Sequence, residues 1–123
     1  MRLRWILKGI LPLLFLTVCG CHSYQISMTV ENRTGAEIRL LEVDYPSASF
    51  GTNSLAAGAE FPYRIVVRGD GPLKVQYSIG EGNQTQVKQM SGPTLKEHQE
   101  GRLEIVLLPG GKMEFHPDLT SHP

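Results

Sequence analysis

Gly69-Asp70-Gly71-Pro72-Leu73-Lys74-Val75-Gln76-Tyr77-Ser78-Ile79 is the stretch that decides the fold class. The first four residues have the chemistry of a tight turn, with glycine for unusual φ and proline to end whatever precedes it. Leu73, Val75, Tyr77 and Ile79 then alternate with Lys74, Gln76 and Ser78. Successive side chains of a strand point to opposite faces, so this segment has one apolar and one polar face. The same four apolar residues would be scattered around a helix. The segment predicts a half-buried strand leaving a hairpin turn.

The pattern repeats outward in both directions. Upstream, Phe61, Tyr63, Ile65 and Val67 share a face, with Pro62 in a position that only a strand edge tolerates. Tyr24, Ile26, Met28 and Val30 form another such face, closed by the turn residues Asn32-Arg33-Thr34-Gly35. Ile38 and Leu40 continue the alternation, and the phase then flips to Leu41, Val43 and Tyr45. A β-bulge or a crossing between sheets produces such a flip. Downstream, Gln84 to Met90 reads as a polar edge strand with Val87 its best apolar position. Arg102 to Leu108 is the most apolar strand, and Met113 with Phe115 closes a last one. Residues 46–54 and 91–101 lack a sustained period and read as irregular, with Leu95 pinned to the core. Nothing argues for a helix longer than a turn after residue 23. About seven short strands separated by turns predict an all-β fold, a small antiparallel β-sandwich of immunoglobulin-like or transthyretin-like form spanning 24–116. Residues 117–123 read as a flexible tail.

The first twenty residues are of another kind. Arg2, Arg4 and Lys8 precede an apolar run from Ile10 to Val18, and Cys19-Gly20-Cys21 follows. A positive head, a short apolar run and a small-residue cleavage zone are the marks of an export signal, here a signal helix removed from the mature protein. The run is too short for a spanning helix, which needs about 20 apolar residues. Leu16-Thr17-Val18-Cys19-Gly20-Cys21 resembles the lipobox of bacterial lipoproteins, with Val18, Cys19 and Gly20 at the three positions before the acceptor Cys21. Cysteine at the second of these positions departs from the usual pattern. An ordinary secretory signal is the alternative.

The resemblance implies that diacylglycerol is transferred to the Cys21 thiol, that the chain is cut between Gly20 and Cys21, and that a fatty acid such as palmitate caps the new amino terminus. Each buried methylene contributes about 0.8 kcal/mol, so several acyl chains hold a protein stably where a single one does not. His22 stands where an aspartate would favour inner-membrane retention in enteric bacteria. The resemblance therefore implies the outer membrane, facing the periplasm. Residues 21–23 become the lipidated terminus and a short tether. The partners expected are the membrane, through Cys21, and an envelope protein or cell-wall component.

Composition then excludes several chemistries. Removal of residues 1–20 from 123 leaves 103, enough for one domain. Arg2, Arg4 and Lys8 are three of 12 Lys+Arg, so residues 21–123 carry 9 against 12 Asp+Glu, a net charge of −3. An acidic domain without a basic cluster has no electrostatic footprint for nucleic acid. With Cys19 removed and Cys21 lipidated, no thiol remains for a disulfide, a nucleophile or a metal ligand.

His22, His98, His116 and His122 lack the close spacing of metal ligands. A periplasmic metal-handling role using His116, His122 and Met113 is one alternative. A small hydrolase is a weaker one: no Gly-x-Ser-x-Gly elbow is present, and Glu97 and Glu100 would need a third element to form a catalytic pair. Asn32-Arg33-Thr34 and Asn83-Gln84-Thr85 match the glycosylation tripeptide, which arises often by chance. No cofactor or catalytic residue is expected. The segment from Tyr45 to Asn53 is the expected binding loop, with Tyr45, Phe50 and Asn53 offering aromatic and polar contacts. Simple coverage of the sandwich end by Tyr45 and Phe50 is the competing reading. The function expected is a non-catalytic binding or structural domain on the bacterial envelope.

Overall fold

The computed structural model describes residues 23–123. The expected signal helix, the cleavage site at Gly20 and the lipid acceptor Cys21 lie outside them. The described residues form eight strands: β1 (Ile26–Asn32), β2 (Ile38–Tyr45), β3 (Ala48–Leu55), β4 (Glu60–Ile65), β5 (Gly71–Ile79), β6 (Gln86–Leu95), β7 (Gln99–Leu107) and β8 (Met113–Ser121). Single turns of 3₁₀ helix at Gly82–Gln84 and Pro109–Gly111 join β5 to β6 and β7 to β8. One sheet has the order β4-β1-β7-β8 and the other β3-β2-β5-β6. This is an all-β sandwich of two four-stranded sheets, as the alternation predicts. The pairings are antiparallel except β1 with β7, which run parallel with Ile26 opposite Gly101 and Asn32 opposite Leu107. In an immunoglobulin sandwich the first two strands share a sheet. Here β1 and β2 lie in different sheets, so that strand order is not the one found.

The core comes from the inward faces of the four inner strands. Ile26, Met28 and Val30 of β1 with Leu103, Ile105 and Leu107 of β7 meet Ile38, Leu41 and Val43 of β2 with Leu73, Val75 and Tyr77 of β5. All are nearly or fully buried. Interdigitated side chains between two sheets about 10 Å apart are the normal core of such a fold. The Tyr77 phenol is pushed up from its ordinary pKa by burial.

The phase flip in β2 is a bulge. Ile38 and Leu41 both face inward because register with β5 shifts between Arg39 and Glu42. Leu40 absorbs the extra residue at φ 50 and is turned out, 63% exposed. Gly51 of β3 lies beside this bulge, and a Cβ there would fall on the Leu41 carbonyl oxygen. The left-handed region costs a non-glycine residue about 1–2 kcal/mol, less for asparagine. Leu40→Asn is therefore expected to stabilise the domain by about 0.5–1 kcal/mol, since little apolar burial is lost. A lower urea midpoint in that variant would mean that Leu40 packs more than its exposure indicates.

Three expectations are corrected. Residues 46–54 are not a loop: Pro46 and Ser47 alone turn the chain, with Ser47 at φ 87, and β3 pairs with β2 from Ala48 to Leu55. Ser91 to Gly101 is mostly strand, since β6 runs on to Leu95 and β7 begins at Gln99. Residues 117–121 are not a tail, because β8 pairs with β7 as far as Ser121 opposite Gln99. For β3, β6 and β8 the cause is edge position. β3 and β8 bury apolar side chains on part of one face only, so their alternation is diluted by polar residues. Pro117 does not stop β8, because an edge strand has one side with no ladder bond to lose. Pro62 in β4 and the polar β6 are both at edges, as expected, although Val87 points outward and is 60% exposed.

Candidate functional site

All strands run between two ends of the sandwich. The lower end carries the chain's entry at Tyr24, the β2–β3 turn, the β4–β5 and β6–β7 connections and the C-terminus. The upper end carries the turns after β1, β3, β5 and β7. The lower end is closely knit. Glu97 Oε1 accepts from the Gly69 amide at 2.6 Å, Asp70 Oδ1 from the Glu97 amide at 3.3 Å, and Ser47 Oγ from the Arg68 amide at 3.3 Å. The Tyr24 ring is flanked by His122, stacked at 5.0 Å, and by His98, tilted at 5.2 Å. His122 Nε2 also meets Glu100 Oε1 at 2.7 Å. The Gly101 amide donates to the Gln25 carbonyl at 3.2 Å, so the chain is fixed to the domain two residues after Ser23.

These contacts bear on the alternative chemistries. Glu97 and Glu100 take different partners, Gly69 and His122. Met113 is buried at the start of β8, at the upper end, and His122, just past the end of that strand, lies about 30 Å away at the other, at roughly 3.3 Å per residue. His116 lies on the outer face of the first sheet, 3.9 Å from Glu114. Among the described residues no three His, Cys, Asp or Glu side chains are grouped to hold a metal ion.

The upper end is closed by a buried polar residue that reading the sequence as a turn had passed over. Asn32 is 0% exposed. Its Nδ2 donates to the carbonyls of Ala36, Leu55 and Ala56 at 2.8, 3.0 and 3.1 Å. Its Oδ1 accepts from the Thr34 amide at 3.0 Å and the Thr34 hydroxyl at 2.7 Å. The side chain therefore ties the β1–β2 turn to the β3–β4 connection. This explains the Asn-x-Thr spacing by local structure, and the amide is inaccessible to any glycan transfer in the folded domain.

Tyr45, Phe50 and Asn53 lie on the β2–β3 hairpin. Phe50 is buried and stacks on Tyr63 of β4 at a centroid distance of 4.4 Å; Phe61 follows at 6.1 Å and Tyr45 at 6.3 Å. The rings close the seam where β3 passes over β4, along the side of the sandwich and not across its end. Burial, with Tyr63 nearby, pushes the Tyr45 phenol up in pKa. Most of this cluster is packing, which favours the structural reading of Tyr45 and Phe50. Tyr63, however, is 45% exposed. Asn53 is exposed beside Leu40, where the outer face of the second sheet forms a shallow depression with Arg39, Ser78 and Thr85. A second shallow depression lies on the outer face of the first sheet, floored by Ser27 and Thr29 and walled by Glu60, Arg102, Glu104 and Asp118.

The surface is thus one of open depressions and strand edges, and the aromatic seam beside β3 is where apolar rings reach it. Comparison of the chain with protein-family models, with curated proteins and with solved structures finds no match.

Proposed function

We propose that the protein is a bacterial envelope lipoprotein, anchored through lipid on Cys21 and facing the periplasm from the outer membrane, whose β-sandwich binds a partner without transforming it. The observation that carries this reading is the run Leu16-Thr17-Val18-Cys19-Gly20-Cys21 placed immediately before a domain that packs its own core from Ile26 onward. The chain between Cys21 and the contacts of Tyr24 spans at most about 11 Å, at 3.3–3.6 Å per residue. The lower end of the sandwich would then rest against the lipid headgroups. The upper turns and both outer faces would be presented to the periplasm.

Intact mass of the protein produced in a bacterium tests the anchor. The expected species begins at Cys21 and carries diacylglyceryl and acyl groups. Cys21→Ala should lack that mass and leave the membrane fraction. An unmodified chain cut elsewhere, recovered in the soluble periplasm, would replace this reading with an ordinary secreted protein bearing a thiol.

A further inference from the structure

Each sheet ends in two edges: β4 and β8 in one, β3 and β6 in the other. An edge strand offers a row of backbone N–H and C=O groups to any passing chain, and natural proteins block it with proline and charge, lysine above all. Three of these edges carry both devices. Pro62 lies between Glu60 and Arg64 in β4, Pro93 follows Lys88 in β6, and Pro117 lies between Glu114 and Asp118 in β8. The fourth edge, Ala48-Ser49-Phe50-Gly51-Thr52-Asn53-Ser54-Leu55, has neither a charge nor a proline in eight residues.

We infer that β3 is a docking edge, which receives an extended, uncharged segment of a different polypeptide as a ninth strand. The inference rests on the proposed binding role and specifies its surface. In a two-residue hairpin the residues flanking the turn bond to each other, here Tyr45 and Ala48. Antiparallel alternation then directs the backbone groups of Ser49, Gly51 and Asn53 away from β2. Those groups would supply the main-chain hydrogen bonds of an added strand, and side-chain alternation would supply selectivity. Inward side chains of the incoming strand would lie over exposed Tyr63, itself stacked on buried Phe50. Outward ones would lie beside Ser49, Gly51 and Asn53, a row with no charge to match. The segment that fits is apolar at alternate positions and small and polar between them.

A second copy of this chain fits less well. Antiparallel pairing of β3 with itself requires a two-fold axis across the strand. That axis would put the two Ser23 ends at opposite ends of the assembly. Two chains held by Cys21 on one membrane cannot adopt it.

The test uses the full chain, produced in a bacterium and purified in detergent micelles, with a fluorescein-labelled peptide of alternating valine and threonine as the probe. Saturable binding is expected by fluorescence anisotropy, with slowed amide exchange confined to Ala48–Leu55. Ser49→Pro removes one outward N–H and should weaken binding about tenfold. Asn53→Lys, which leaves the backbone intact, should weaken it as well, and Val87→Lys on β6 should not. No saturation at millimolar peptide, or protection on β4, β6 or β8 instead, would overturn the inference. So would a concentration-dependent dimer abolished by Asn53→Lys, which would assign the edge to a second copy. Lipidation is read separately by mass, so failure of the anchor and failure of the edge give different results.

Discussion

Replacing Asn32 by leucine is expected to cost about 3–5 kcal/mol, because it leaves buried polar groups without partners. Leucine has the branching and the number of side-chain heavy atoms of asparagine, so the loss is chiefly one of hydrogen bonding, with some overpacking from its bulkier methyl groups. The Leu55 carbonyl loses its donor and the Thr34 amide its acceptor, while the carbonyls of Ala36 and Ala56 keep only the Thr34 hydroxyl and the Ala59 amide. The side chain and its contact with the Leu55 carbonyl are fully buried, so water cannot reach that carbonyl without opening the upper end of the sandwich. A domain of this size has about 5–15 kcal/mol to lose, so the variant should be marginal. Asn32→Asp should be at least as damaging, since a carboxylate would face the same carbonyls. Urea denaturation measures both, with Asn83→Leu as control. Asn83 is exposed, and its replacement should change stability by less than about 0.5 kcal/mol. A loss below about 1 kcal/mol for Asn32→Leu would mean that the turn finds other partners easily.

Gly101→Ala should be comparably severe by a different route. Gly101 sits in β7 between Ile26 of β1 and Leu119 of β8, at φ +133. That backbone conformation is nearly closed to other residues, and a Cβ would fall on the Asp118 carbonyl oxygen. Both neighbours are backbone, so the strain cannot be relieved by turning a side chain. A cost of about 3 kcal/mol or more is expected, or roughly 12 °C or more in Tm for a domain of about 100 residues. Gly110→Ala separates the two causes. It shares the positive φ, at 78, but nothing lies within 4 Å of its Cβ position, so it should cost only about 1 kcal/mol. Equal losses in the two variants would show that neither the contact nor the more extreme φ of Gly101 adds to the cost.

What the sequence makes legible follows the burial of each strand. β1, β2, β5 and β7 are flanked on both sides and bury one whole face, so Ile26-Met28-Val30 and Leu73-Val75-Tyr77 stand out as clean alternations. The β2 bulge is legible too, because it forces a phase change between Ile38 and Leu41. β3 is not. Its two buried apolar residues, Phe50 and Leu55, are an odd number of positions apart, and small polar residues fill the space between. Asn32 is hidden for another reason: a buried asparagine tying a turn together and an exposed one in a turn have the same neighbours in sequence. The clasp of Tyr24 by His98 and His122 joins residues from both termini and the β6–β7 turn, a grouping that only the β1–β7–β8 topology creates.

The same residues serve the proposed site differently from the expected loop. Tyr45 and Phe50 are mostly packed, whereas Asn53, Gly51 and Ser49 belong to the edge that the sequence reading had no reason to draw. Protection of an edge can be read from sequence once the edges are known. The absence of charge and proline from Ala48 to Leu55 becomes informative only beside Pro62, Pro93 and Pro117.

The parallel pairing of β1 with β7 has a consequence for the timing of folding. β1 is the first strand to be made, yet Ile26 must find Gly101 and Asn32 must find Leu107 before the first sheet has a centre. Contacts that span most of a chain are slow to form, because the loop they close must be ordered first. In a chain that crosses a membrane N-terminus first, β1 would emerge on the far side while its partner was still inside the cell. Only β4 could pair with it in the meantime, giving a two-stranded ribbon too small to be stable in water. In an exported chain this topology would therefore delay completion of the first sheet until β7 had arrived.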